Sequence, residues 1–161
     1  MQLIRLLYRS DSELTGSDHA VREAAFAIAE KARARNARDG VTGALMFVGG
    51  AFVQVLEGDT PAVEAVFESI CRDTRHRRLL LHDFSAIEER LFASWDMVAF
   101  EGDREARALF PTVADATSFS HRNRLSADTA VTLMRSLLAK RSARRSGIRV
   151  PDRMTATDVL G

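Results

Sequence analysis

Short runs of alternating apolar residues and longer helical stripes follow one another along this chain, and their order predicts its architecture. Residues 3–9 (LIRLLYR) are apolar and β-prone, and a turn cluster spans Ser10–Asp18, so a first strand is expected there. Ser17 is placed to cap a helix reaching about Ala37, in which Val21, Ala25, Ile28, Ala29 and Ala32 recur at helical spacing. Residues 41–48 and 51–57 are strand-like and enclose Gly49-Gly50, a pair suited to the positive φ angles of a tight hairpin. Asp59 or Thr60 can cap a second helix with Pro61 in its first turn, and its stripe is Val63, Val66, Phe67 and Ile70. Residues 78–84 and 95–100 read as two further strands. The order βαββαββ predicts an α+β fold, a ferredoxin-like sheet with two helices on one face.

The second face also needs a cover. Ile4, Leu6 and Tyr8 point one way while Leu3 and Leu7 point the other; Phe52, Gln54 and Leu56 oppose Val53 and Val55. Both faces are therefore apolar and buried. Residues 127–141 form an amphipathic helix, with Ala130, Val131, Leu133, Met134, Leu137 and Leu138 on its apolar side. That helix, or else a partner, is expected on the second face. Pro111 breaks any long helix within 103–125, and the last dozen residues read as frayed. The division expected is a domain over 1–100, a helical extension over 101–145 and a flexible tail over 146–161.

Composition narrows the classes. Of 161 residues, 46% are hydrophobic and 28% charged, an ordinary globular balance that can bury a core without disulfides or metals. The net charge of +1 points to neither a nucleic-acid nor a membrane partner. Six basic residues and no acidic one lie between Arg135 and Arg149, read as a solvated helix face. Cys71 is the one cysteine, so no internal disulfide forms; with no apolar run of about 18 residues and no cleavage pattern near the start, a cytoplasmic protein is expected.

Polar residues on apolar faces are the informative feature. Gln54 sits between Phe52 and Leu56, and a buried amide without partners costs about 1–3 kcal/mol. Tyr8 ends its own strand's apolar face and can partner it. Asn36 continues the first helix stripe four residues after Ala32, Asp73 continues the second three after Ile70, and Trp95 and Met97 alternate onto one face of the last strand. Taken singly, each has a plain reading. Tyr8 is then a strand tyrosine, Asn36 a helix C-cap before Gly40, Asp73 a solvated helix end and His76 a surface residue. Trp95 and Met97 are core, and Cys71 is a small core hydrophobe. Together, apolar walls with directed amide, carboxylate and phenol groups suit a flat, heteroatom-rich ligand.

The words that carry these residues resemble the BLUF family, blue-light sensors using FAD. They are Leu7-Tyr8-Arg9-Ser10, Ala34-Arg35-Asn36, Val41-Thr42-Gly43-Ala44-Leu45, Phe52-Val53-Gln54-Val55-Leu56-Glu57-Gly58, Asp73-Thr74-Arg75-His76 and Arg90-Leu91-Phe92-Ala93-Ser94-Trp95-Asp96-Met97, in order over residues 1–100. The resemblance implies a flavin between the two helices, FAD by family habit, with FMN also able to fit. Asn36 would bond a ring carbonyl, Asp73 the polar ring edge, and Ile28 and Ile70 would sandwich the ring. Arg75 and His76 would lie near the ring or the ribityl-phosphate tail. Gln54 would sit between Tyr8 and the flavin edge. Tyr8 would give and regain an electron and a proton, leaving Gln54 rotated or in another tautomer. That change would reach Trp95, Met97 and the C-terminal helix.

No output enzyme fits in residues 101–161, so the resemblance implies a non-enzymatic receptor. It would signal to a separate protein: a transcription regulator, a nucleotide-cyclising or cyclic-dinucleotide enzyme, or a response regulator. A homo-oligomer is expected from the apolar second face. Two other classes compete. A phosphohydrolase of the acylphosphatase type needs a phosphate cradle, and Ser10-Asp11-Ser12-Glu13 is acidic. A flavin reductase needs room for a hydride donor, and no G-x-G-x-x-G occurs.

Overall fold

The period-two pattern of the first strand sends one set of side chains to each side of a sheet, and both sets are buried. The computed structural model describes residues 1–99 and 127–147. Its elements are β1 (Leu3–Ser12), α1 (Asp18–Arg38), β2 (Thr42–Val48), β3 (Ala51–Asp59), α2 (Thr60–Cys71), β4 (His76–Ala86), β5 (Trp95–Ala99) and α3 (Ala127–Arg145). The sheet order is β4-β1-β3-β2-β5. Neighbouring strands among the first four are antiparallel, in the ferredoxin-like order, and β5 joins the β2 edge in parallel.

Local chemistry explains the boundaries. Ser17 caps α1, its hydroxyl accepting from the Ala20 amide at 3.2 Å. Asp59 occupies the cap position of α2 without a side-chain bond, and Pro61 sits in its first turn. Gly49 and Gly50 both have positive φ, 55° and 78°, the pairing that a two-residue hairpin needs between twisted strands.

Ile4, Leu6, Tyr8, Phe52 and Leu56 pack with Ala25, Ala29, Val63 and Val66 of the two helices. On the other side, Leu7, Val53 and Val55 pack with Ala130, Val131, Met134 and Leu137, so α3 is the second cover. At about 25 cal/mol per Å², burying this second face is a substantial part of what holds α3 on the sheet.

Four expectations change. The segment Ser10–Ser12 is strand, not turn, because it pairs with both β3 and β4. β4 starts at His76 and runs to Ala86, longer than 78–84. α3 continues to Arg145, past residue 141. Cys71 is exposed rather than core, because α2 ends there. The segment around Pro111 and the tail from 148 lie outside the described residues.

Candidate functional site

Two helices over one sheet leave a cleft between them. α1 lies over β2 and β5, and α2 over β1 and β3. Tyr8, Gln54, Leu45 and Phe52 form the floor of the cleft, and Ile28, Ala32, Val66 and Ile70 its apolar walls. Lys31, Arg35, Asp73 and Arg75 line its solvent side. Arg35 ties the two helices together, donating to Ser69 Oγ at 2.6 Å and to the Ala65 carbonyl at 3.4 Å.

The floor carries the polar pair. Tyr8 and Gln54 are directly opposite in the β1–β3 register. The Tyr8 hydroxyl donates to Gln54 Oε1 at 2.6 Å, and both residues are buried. Burial, with the nearby charge of Asp73 adding to it, pushes the Tyr8 phenol well above its ordinary range. The phenol therefore stays protonated and remains a donor at neutral pH. With Oε1 engaged by Tyr8, the amide nitrogen of Gln54 is the end left for a ligand.

Two further side chains close the site. His76 Nε2 faces the Ile70 carbonyl at 2.7 Å, so that nitrogen carries a proton; Nδ1 meets Ser10 Oγ at 2.7 Å. The ring is thus locked between α2 and β1. Asn36 is 1% exposed, and its Nδ2 has no hydrogen-bond partner among the described residues. An orphaned amide on a cleft wall asks for an acceptor within that cleft.

Asp73 is held by Arg75. The Arg75 backbone amide donates to Oδ1 at 2.9 Å, and its guanidinium spans both carboxylate oxygens. These bonds hold the Asp73 carboxyl below the usual carboxylate range and raise Arg75 in return.

The residues expected to bind the cofactor come together in one place, while Trp95 and Met97, expected in the switch, are not among the described residues that line the cleft. Tyr8, Ile28, Asn36, Gln54, Ile70, Asp73, Arg75 and His76 all line the cleft. Asp73 does so from the turn after α2, not from the helix itself, its amide donating to the Ile70 carbonyl at 3.0 Å. Asn36 does not cap α1, since Asp39 takes that position, and His76 is half-buried rather than a surface residue. Trp95 is buried on the helix side of the sheet but not among the cleft-lining residues, and its Nε1 has no partner among the described residues. Met97 of β5 pairs with Leu45 of β2, and its side chain lies outside the described residues. Lys31, Arg35 and Ser69 were not anticipated; the spacing of Lys31 and Arg35 around Ala32 and Asn36 was the available signal.

Known proteins resemble this chain in sequence and fold. The family described as BLUF, sensors of blue-light using FAD, matches residues 3–98. The alpha subunit of a photoactivated adenylate cyclase from Euglena gracilis is 35% identical over 130 residues, 78% of this chain. The chain spans 13% of that protein's length. Among solved structures, the dark state of the BLUF protein BlrB is 30% identical with a TM-score of 0.62, covering 86% of this chain and 97% of BlrB. BlrP1 of Klebsiella pneumoniae, solved with manganese and cyclic diGMP, is 29% identical with a TM-score of 0.54, covering 71% of this chain and 33% of BlrP1.

Proposed function

From the membership of this chain in the BLUF family of blue-light sensors using FAD, we propose that its cleft holds the flavin and that a hydrogen-bond switch at Tyr8 and Gln54 reports light to a separate protein. The observation that carries this reading is the 2.6 Å bond between the two buried side chains on the cleft floor. Apolar walls suit a flat ring, and the unpartnered Nδ2 of Asn36 suits a ring carbonyl. Ile28 and Ile70 would flank the ring, and Asp73, oriented by Arg75, would accept from its polar edge. Arg75, Lys31 and Arg35 would meet the anionic tail of FAD, and FMN would use the same groups. His76 would keep α2 and β1 in place around the ring.

When bound, the flavin absorbs blue light and becomes a strong oxidant. Tyr8 keeps its phenolic proton at rest and points it at Gln54. An amide has one accepting and one donating end, so its orientation or tautomer stores one bit. Reversing that bit changes what Gln54 offers to Tyr8 and to the ligand, and so the bonds that hold β3 at that point. Replacing Tyr8 by phenylalanine tests this: flavin should stay bound and the red-shifted lit state should disappear. A normal photocycle in that variant would contradict the switch.

We read residues 1–100 as the sensor, 101–145 as the extension that carries the signal and 146–161 as a tail, with no enzymatic activity in the chain itself. Among the described residues no helix is long and apolar enough to cross a membrane, and we assign the protein to the cytoplasm. Of the partner classes considered, we favour a nucleotide-cyclising or cyclic-dinucleotide enzyme, a choice supported by the similarity to a photoactivated adenylate cyclase and to BlrP1 solved with cyclic diGMP. Because α3 covers the second sheet face, self-association is assigned instead to the β4 edge, where Leu80, Leu81 and Phe84 are 41%, 51% and 48% exposed.

A further inference from the structure

We infer that Glu57 is a positioning residue that couples the switch strand to the C-terminal helix, by holding residues 90–92 against β3. The inference rests on the photoreceptor reading. Gln54 and Glu57 are three residues apart on β3 and point to opposite faces, Gln54 to the cleft and Glu57 to the α3 side.

Glu57 is fully buried. Its Oε1 accepts from Arg5 Nε of β1 at 2.9 Å. Its Oε2 accepts from the backbone amides of Leu91 at 2.8 Å and Phe92 at 3.1 Å. Its main-chain carbonyl accepts from Arg90 Nη1 at 3.0 Å, and the same nitrogen reaches Thr42 Oγ1 of β2 at 3.0 Å. A carboxylate is acceptor-only at both oxygens, so it alone can satisfy a guanidinium on one side and two amides on the other.

The clasp leads outward. Phe92 is buried in the cluster that contains Met134 and Leu137 of α3. Two residues later the Ser94 carbonyl accepts from the Gly43 amide at 3.1 Å, and β5 begins at Trp95. A displacement of β3 at Gln54 therefore moves a carboxylate that is bonded to the backbone just before Phe92. The route runs from cleft to β3, to residues 91–92, to α3, and it does not pass through the Trp95 side chain.

Glu57→Gln keeps the shape but turns one oxygen into an N–H₂ that cannot accept. The experiment is hydrogen exchange of the flavin-loaded full chain, in the dark and under steady blue light, with the absorption shift recorded in parallel. The wild type should show the red shift and a light-dependent change in exchange over residues 127–145. Glu57→Gln should keep the red shift and lose most of that light-minus-dark difference, at least severalfold. Arg90→Gln, at a half-buried position, is a second variant that keeps flavin if Glu57→Gln does not, and it should reduce the difference in the same direction. A red shift with an undiminished difference in the variant that holds flavin overturns the inference, as does a wild type that shifts without any change in α3. A wild type with no red shift overturns the photoreceptor reading as well.

Discussion

Replacing Asn36 by leucine separates the demands of the fold from those of the ligand. The side chain is 1% exposed and its Nδ2 has no partner among the described residues, so the flavin-free protein carries an unsatisfied buried donor there. Such a group costs about 1–3 kcal/mol, and an acceptor from the bound ring would recover that amount. Leucine has similar size and no donor. The flavin-free variant should therefore be as stable as the wild type or more so, with a melting temperature higher by about 2–4 °C per kcal/mol relieved. Flavin affinity should fall by the same free energy, which at 1.4 kcal/mol per decade is roughly 5- to 150-fold in Kd. Titrating flavin-free protein with FAD by fluorescence quenching gives the affinity, and thermal denaturation of the same samples gives the stability. Opposite signs in the two measurements are the expected result. An unchanged Kd refutes the assignment of Asn36 to the ligand, and lost stability without lost affinity would make it a purely structural amide.

Gln54→Leu, like Tyr8→Phe, should retain flavin and lose the red-shifted state; a surviving light-induced shift of the flavin carbonyl band in infrared difference spectra would count against the amide switch. Asp73 titrates below the ordinary carboxylate value of about 3.9, so its contribution is fully present above that pH and is lost as pH falls through its depressed pKa. Asp73→Asn should cost under about 1 kcal/mol at neutral pH, since Arg75 is half-exposed, and should flatten the acid limb of flavin retention; an unaltered acid limb would show that other groups set it. Leu81→Lys should turn a concentration-dependent dimer into a monomer in sedimentation equilibrium, and a wild type that stays monomeric throughout would contradict the β4 interface.

The strands and helices were legible because their periods are clean. Gly49-Gly50 announced the hairpin, and the stripes of α1, α2 and α3 each pack where their spacing pointed. Gln54 stood out because it interrupts an apolar face, and Tyr8 is found opposite it. Glu57 interrupts the other face of the same strand after Val53 and Val55, so an equal signal was present there and was not used. Ser10–Ser12 read as a turn because polar residues mark turns in isolation; here pairing on both sides buries Ser10 and Asp11. The parallel placement of β5 beside β2 has no local signature, since it depends on which edge the chain reaches after β4. Asp73 fell on the helical spacing of α2, yet the helix ends two residues earlier and Arg75 fixes the carboxylate from the following turn.

The most direct test of the central claim is the visible absorption spectrum of the purified, flavin-loaded protein in the dark and immediately after blue light. Bands that move slightly to the red and return in the dark, with the flavin still oxidised, are the predicted result. Bleaching to a reduced flavin, or a cleft that binds none, would contradict it.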